Sequence, residues 1–190
     1  MSAQGPLAVT DRTSTLMHFE GGNALAPHQA QALLPRLQAI NPKIAGVHAR
    51  HVHWVRSAGP LEDAGRVAAL LTYGDPHAAG PDGPSSLVVV GPRLGTVSPW
   101  ASKATDIAHN CGLAIHRVER VTEYRLQLKS GLVSSLTGGA KPLSTEELQA
   151  CALLLHDRMT ESAAFEREAA AHLFDEKPAE PMAHVDVLGQ

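Results

Sequence analysis

The sequence lacks an excess of positive charge. Its 190 residues contain 16 lysines and arginines against 19 aspartates and glutamates, which gives a formal net charge of -3 at pH 7. A protein that wraps nucleic acid or lies on an anionic membrane needs a basic surface. The sequence also lacks an apolar run near the ~20 residues of a membrane span, and residues 1–14 lack the basic start and apolar core of a signal peptide. We therefore expect a cytoplasmic protein with neither nucleic-acid nor membrane partners.

Cysteine is also scarce, and no metal set is evident. Cys111 and Cys151 lie far apart, without the close Cys and His spacing of a structural zinc site, so we expect two reduced thiols. His48, His51 and His53 form a cluster, but on a strand only His51 and His53 share a face. No neighbouring carboxylate or cysteine completes a ligand set. Structural or surface histidines are the favoured interpretation, with metal binding as the alternative that metal analysis would decide.

The order of the predicted elements indicates an internal duplication. Strands are predicted at 15–19, 44–56, 87–93 and 115–128, and helices at 27–40, before Gly74, at 99–111 and at 143–162. Each half has the order strand, helix, strand, helix, and a Gly/Pro-rich loop at 75–86 separates the halves. We predict an α+β two-layer sandwich, in which both halves share one antiparallel or mixed sheet and the helices lie on one face.

Two further predictions concern burial and domain extent. The segment 87–93 has no polar alternation, which is typical of a strand buried on both faces, whereas 115–128 alternates and predicts one wet face. Ser144 with Glu147 predicts a capping box at the start of the last helix. The duplicated domain is expected to span 1–162. A partly extended linker is expected to begin at 163–190, because two prolines in a short polar stretch discourage packing.

The stretch GTVSPWASKATDIAHNC, residues 95–111, combines most of the reactive residue types. Ser98 as N-cap and Pro99 as first helical residue explain its start without any function. One helix face is expected to be buried and contains Ala104, Ile107, Ala108 and Cys111. The other face contains Ser102, Lys103, Asp106, His109 and Asn110. A solvated face is the simpler interpretation of this pattern, and a binding site or polar domain interface is the alternative.

The start of this helix suits an anion. Its free backbone N–H groups follow Gly95 and Thr96 and are flanked by Arg93 and Lys103, so a phosphate or phosphorylated substrate would fit there. His109 could act as general acid or base with Asp106 as its partner, but this spacing is also that of an ordinary surface pair. A second polar group, expected to form ion pairs with neighbours or another domain, comprises His156, Asp157, Arg158 and Glu161.

The run PRLGTVSPWASKATDIAHNCGL, residues 92–113, closely resembles a signature near the N-terminus of large single-chain phosphoribosylformylglycinamidine synthases, also called formylglycinamide ribonucleotide amidotransferases. Other stretches agree in order and spacing, among them LMHFEGGNALAPHQAQALLPRLQAINP, PLEDAGRVAALLTYG, IHRVERVTEYRL and VDVLGQ. Leu94, Val97 and Ala101 replace the usual proline, isoleucine and serine. The family enzyme is several times longer, and the resemblance covers only its N-terminal domain and the first residues of its linker.

The resemblance implies a fold like two fused copies of the small S subunit of split versions of this enzyme. It also implies the reaction of purine biosynthesis in which formylglycinamide ribonucleotide, ATP and glutamine give formylglycinamidine ribonucleotide, ADP, phosphate and glutamate. ATP and magnesium then belong to the complete enzyme, and none is expected on this chain alone. The expected partners are the synthetase and glutaminase domains, against which this domain would wall an ammonia channel.

By this resemblance the chain is part of an ATP-dependent carbon–nitrogen ligase and is expected to be inactive by itself, with no catalytic residue of its own. The residues expected at the boundary of the substrate site or channel are Arg93, Thr96, Ser98, Trp100, Ser102, Lys103, Asp106, His109 and Asn110. Those expected to dock other domains are His156, Asp157, Arg158 and Glu161. The alternative is a structural docking or oligomerisation module with no direct role in the active site.

Overall fold

The fold is built on a single five-stranded sheet, seen in a computed structural model that describes residues 14–78, 80–129 and 142–175. The strands are β1 (Thr15–Asn23), β2 (Ile44–Ser57), β3 (Ser85–Pro92), β4 (Ile115–Leu128) and β5 (Glu161–Ala164). The α-helices are α1 (Pro27–Ile40), α2 (Ala64–Leu71), α3 (Pro99–Asn110) and α4 (Thr145–Leu155), and a 3₁₀ helix spans Arg167–Phe174. None of the described helices has both the length and the apolarity to cross a membrane.

The helix starts follow from local sequence. Pro27 and Pro99 open α1 and α3 at positions where no intrahelical N–H bond is needed. The Ser98 hydroxyl accepts a hydrogen bond from the Ala101 N–H at 3.0 Å, which confirms the predicted N-cap. The predicted capping box of α4 is also confirmed, because Ser144 and Glu147 each accept from the other's backbone N–H.

The sheet has the order β1-β2-β4-β3-β5, and every neighbouring pair is antiparallel. The first four strands are thus symmetric about the β2–β4 pair, with one half contributing β1 and β2 and the other contributing β3 and β4. At the centre of that pair, Val52 lies opposite Val121 and His53 lies opposite Arg120. The predicted α+β two-layer sandwich is confirmed, with a fully antiparallel sheet.

The four α-helices pack on one face of the sheet in two separate groups. Helices α1 and α4 cover one end through Leu37, Cys151 and Leu155. Helices α2 and α3 cover the other end through Val67, Ala108 and their neighbours. The centre of this face therefore lies between two apolar clusters, with no α-helix directly over it among the described elements.

The opposite face is covered by the 3₁₀ helix, which packs Ala170, Leu173 and Phe174 onto the middle of β2, β3 and β4. Because of this cover, the predicted wet face of β4 is buried in its middle, where the side chains of Glu119 and Glu123 lie, and is exposed at Arg125. Each of the two carboxylates contacts an arginine, respectively Arg117 and Arg167. The alternation of β4 thus reflects buried ion pairs.

The domain also extends further than predicted. The helix predicted over 143–162 ends at Leu155, and the chain then turns and adds β5 to the edge of the sheet beside β3. The linker was predicted over 163–190. For residues 163–175 this prediction is wrong, because Leu173 and Phe174 are buried against the sheet. Within the predicted domain, residues 1–13, 79 and 130–141 lie outside the described residues, as does the part of the predicted linker at 176–190.

Other predictions need smaller changes. Strand β1 continues to Asn23 through a register shift after Glu20, and α2 is short because it begins only after Asp63. The two-sided burial predicted for β3 is confirmed, since Val88, Val89 and Val90 are all buried. In α3 the buried residues are Ala101 and Ala108, whereas Ile107 and Cys111, predicted to be buried, are exposed. Helix α3 packs on β4, and Ile107 lies instead on the side of α3 that faces a concavity beside α2.

Candidate functional site

A cleft of about 510 Å³ opens over the gap between the two helix groups. It lies between the first turn of α3 and the turn that joins α4 to β5, with β3 and β4 as its floor. We call it the central cleft; it is lined by Val90, Gly91, Pro92, Arg93, Thr96, Val97, Ser98, Pro99, Trp100, Arg120, Thr122, Met159, Thr160 and Glu161. It brings four predicted boundary residues together with a predicted docking residue.

The centre of the sheet behind the cleft is polar. His53 and Arg120 are cross-strand partners, and His51 and Thr122 are the next such pair on the same face. The Thr122 hydroxyl lies 3.4 Å from Nδ1 of His51. The two halves of the duplication thus place a histidine pair and an arginine side by side at their junction.

His53 is completely buried and is held on several sides. Its Nε2 lies 2.8 Å from the hydroxyl of Tyr73, and its ring stacks on the Trp100 indole with centroids 5.5 Å apart. A Cβ on Gly21 would lie 2.6 Å from Cε1 of His53, so only glycine fits there. Burial, together with the charge of Arg120, lowers the pKa values of His51 and His53 to about 4. Both imidazoles are therefore neutral at neutral pH.

Arg120 lies between this buried group and the open cleft. Its guanidinium carbon is 4.7 Å from the centroid of the Trp100 ring, and its Nη1 donates to the Tyr73 hydroxyl at 3.3 Å. The Tyr73 oxygen accepts from Arg120, so its own proton is directed to Nε2 of the neutral His53. These contacts hold the arginine in one orientation in the cleft wall.

The loop between β3 and α3 forms the second wall. The backbone N–H of Arg93 donates to the Thr160 carbonyl at 3.0 Å, and the Thr96 hydroxyl donates to the Arg93 carbonyl at 2.6 Å. Two positively charged residues, Arg93 and Arg120, line the cleft, and Glu161 is the one carboxylate in its lining. The N-terminus of α3 adds the positive end of its dipole. The electrostatics of the cleft therefore favour an anion.

The remaining predicted boundary residues do not line the central cleft. Ser102 donates to the Ser98 carbonyl at 3.4 Å, and His109 donates from Nε2 to the Ile115 carbonyl at 2.5 Å. Asp106 and Asn110 are exposed on α3. His109 is bonded to backbone instead of to Asp106, so the structure offers no acid–base pair at these two positions.

Lys103 lines a different surface, a groove between α2 and α3 of about 530 Å³. We call it the α2–α3 groove; its lining is Leu70, Leu71, Tyr73, Pro99, Trp100, Lys103, Ala104 and Ile107. The side chains of Tyr73 and Ile107 are 41% and 45% exposed, and at the rim of the central cleft those of Val97 and Met159 are 55% and 78% exposed. Large apolar side chains are thus open to solvent around both concavities.

The predicted docking residues form a tight turn after α4. Nδ1 of His156 bonds the Ala152 carbonyl, and the Asp157 carboxylate accepts from the Met159 N–H at 2.8 Å. Glu161 accepts from the Asp157 N–H at 2.8 Å and lines the central cleft. Among the described residues these side chains form no ion pair, and their bonds are local ones that shape the turn.

His48 lies on the opposite face of the sheet from His51 and His53, as strand alternation predicts. It lines a shallow cavity beside Arg50, His77 and Arg125. Within the described ranges, no three His, Cys, Asp or Glu side chains come together in a way that could hold a metal ion.

Sequence reasoning missed Arg120, Tyr73 and the part played by His53. Along β4, Arg120 lies on the same face as Val118 and Thr122, which is the face that the helices cover. A charged residue on that face was the feature of the sequence that could have marked Arg120 as a functional candidate. The adjacency of Arg120 to His53 depends on the register between strands of different halves, which periodicity does not give.

Residues 50–174 match the family model described as formylglycinamide ribonucleotide amidotransferase N-terminal. The matched range is about two thirds of the chain. It contains the whole lining of the central cleft, the residues behind it, and the 3₁₀ helix that covers the other face.

Proposed function

Because the chain belongs to the family of formylglycinamide ribonucleotide amidotransferase N-terminal domains, we propose that it docks against the other domains of that enzyme and forms part of the boundary of the substrate site or ammonia channel. The family links the chain to purine biosynthesis and to a ligase. The observation that carries the proposal is that the matched range contains the entire central cleft with its exposed apolar rim.

The proposed partners are the synthetase and glutaminase domains of the same enzyme. Exposed apolar side chains of this size are typical of surfaces that bind another protein, and Val97, Met159, Tyr73 and Ile107 are such residues. They surround polar groups of varied kinds, which suits an interface with an apolar core and polar contacts. Docking would cover the central cleft and the α2–α3 groove together.

The chemistry of the cleft is compatible with a wall that ammonia passes. Ammonia remains a nucleophile only while unprotonated. The imidazoles of His51 and His53, with pKa values of about 4, are not in their acidic, doubly protonated form at neutral pH and so do not protonate it. The guanidinium of Arg120 does not release its proton in proteins. ATP and magnesium are proposed to bind the synthetase part of the enzyme.

The proposal is tested in the assembled amidotransferase by substitutions in the central cleft and the α2–α3 groove, with a control substitution on the opposite face of the sheet. Arg93→Ala in the central cleft should lower glutamine-dependent amidine formation on the order of tenfold or more, because a charge-assisted contact is lost. Lys103→Ala should lower it as well, because Lys103 lines the α2–α3 groove that is proposed to dock. Arg125→Ala, on the opposite face, is the matched control and should have no effect. Normal turnover and normal coupling of glutamine hydrolysis to product in all variants would refute the proposal.

A purely structural docking module is the second candidate, favoured by the local bonding of the 156–161 turn. It predicts that Arg93→Ala weakens assembly and activity together. A site at the boundary predicts that assembly survives while activity fails. Co-purification of the variant chain with an enzyme lacking its own N-terminal domain, measured beside amidine formation, separates the two.

A further inference from the structure

The half-buried arginines of the sheet differ in how their charge is neutralised. On the face covered by the 3₁₀ helix, Arg50, Arg117 and Arg167 each contact a glutamate of the domain. Arg56 on the same face donates to the Phe174 carbonyl at 2.8 Å. Each of these buried cations therefore has an oxygen partner within the domain.

Arg120 on the helix face is different. It is half-buried, yet no carboxylate of the described residues lies within 4.0 Å of it, and the Tyr73 hydroxyl is the one acceptor recorded for its five N–H donors. The side-chain N–H groups of Arg120 that have no partner among the described residues are accessible to solvent at the central cleft, so they can donate to a ligand there. The position of Arg120 on the wall of the central cleft is consistent with an oxyanion partner from outside the chain.

The surroundings of Arg120 indicate which oxyanion. Its guanidinium packs against Trp100. Arg93, Thr96 and Thr122 line the same cleft. Two cations facing one cleft suit a group with more than one negative charge. A planar guanidinium matches the oxygens of a phosphate in a bidentate manner.

We propose that the central cleft binds the phosphate group of a small phosphate monoester, with Arg120 as its anchoring residue and Arg93 as the second cation. The volume of about 510 Å³ leaves room for the organic part of such a ligand beside the phosphate. The inference rests on the proposed function, since a ribonucleotide is a phosphate monoester. Tyr73 and His53 are positioning residues, which hold the guanidinium through the hydrogen-bonded series from His53 to Tyr73 to Arg120.

The test uses the complete 190-residue chain and its two indole N–H signals in nitrogen–proton correlation spectra. Trp100 lines the cleft, whereas Trp54 is buried on the opposite face and serves as an internal reference. Inorganic phosphate and ribose 5-phosphate are titrated at constant ionic strength, with acetate as the carboxylate comparison. Both phosphates should shift the Trp100 signal saturably and leave that of Trp54 in place, and ribose 5-phosphate should bind more tightly.

Arg120→Gln should weaken binding at least about tenfold, because a charged hydrogen-bond partner is removed. Arg125→Gln, the same substitution on the opposite face of the same strand, should leave it unchanged. Since loss of Arg120 could disturb Trp100 directly, Arg93→Gln with calorimetric detection provides an independent measurement and should also weaken binding. Thermal melting shows that the variants remain folded.

Equal saturable shifts with acetate and phosphate would overturn the phosphate assignment, and unchanged affinity in Arg120→Gln would overturn the role of Arg120. Absence of a saturable Trp100 shift with either phosphate would overturn the site. These outcomes concern binding by the chain itself. Failure of the proposed function would appear instead as normal coupling in the assembled enzyme, so the two failures are distinguishable.

Discussion

His53 shows how one residue connects the core to the cleft. It is buried on the helix face, accepts from Tyr73 and stacks on Trp100, and through these two residues it supports Arg120. Its neutral form is required, because a protonated imidazole could not accept the Tyr73 proton. His51 and Arg120 are the titratable or charged neighbours that hold its pKa low.

The stability of the chain should therefore decrease in mild acid. The pKa of His53 is about 4 in the folded state and near 6.5 when unfolded, so between these values the unfolded chain binds more protons. The stabilisation is complete above pH 6.5 and is lost as the pH falls towards 4, by at most about 1.4 kcal/mol per pH unit for this residue. When the free energy of unfolding, measured with urea, is plotted against pH, the line between pH 4 and 6.5 should be less steep for His53→Gln than for the wild type. Parallel curves would contradict this assignment.

The two thiols should differ sharply in reactivity. Burial raises the pKa of Cys151 to about 11, and its side chain has no access to solvent, whereas Cys111 is exposed at the end of α3. Alkylation of the native protein should label Cys111 alone, and alkylation in denaturant should label both, as measured by mass spectrometry. Rapid labelling of Cys151 in the native protein would be inconsistent with the packing of α4.

At the scale of elements, the 3₁₀ helix is held by charge as well as by apolar packing. Arg167 donates from Nη2 to Glu123 at 2.7 Å and also contacts it through Nε, while Glu123 lies within 3.6 Å of Arg50. The carboxylate is buried in the sheet and needs these partners. The element that closes one face is therefore fixed by a contact that crosses from it to β4.

Arg167→Ala should destabilise the chain by about 3 kcal/mol, since it leaves a buried carboxylate with only one neighbouring cation. Arg66→Ala is the matched control, because the Arg66–Asp63 pair is largely exposed and should contribute less than about 1 kcal/mol. The measurement is urea unfolding at neutral pH. Equal effects of the two substitutions would mean that the Glu123 contact is not important for stability.

Local chemistry allowed much of the fold to be predicted. Ser98, Pro99 and the Ser144–Glu147 box mark helix starts that depend only on neighbouring residues, and these predictions are confirmed. The 3₁₀ helix was missed because an Ala- and Glu-rich stretch lacks strong periodicity and is ordered by burial of Leu173 and Phe174 on the sheet. The cleft was half predicted: its α3 side is a continuous stretch of sequence, whereas Arg120 reaches it only through strand register.

At the scale of the whole molecule, the two faces of the sheet have different roles. One is closed by the 3₁₀ helix and contains the paired arginines. The other presents the central cleft, the α2–α3 groove and the exposed apolar side chains between two helix groups. Such a division is expected of a domain in which one face of the sheet is covered by the domain's own residues and the other face is covered by a partner.

The central claim is that this domain completes an amidotransferase by docking through its helix face. The most direct measurement adds the purified chain to an enzyme of the family that lacks its N-terminal domain and follows glutamine-dependent amidine formation against chain concentration. The account predicts no activity from the chain alone and a saturable recovery of amidine formation on addition. Complex formation without recovery, or full activity in the absence of the chain, would contradict it.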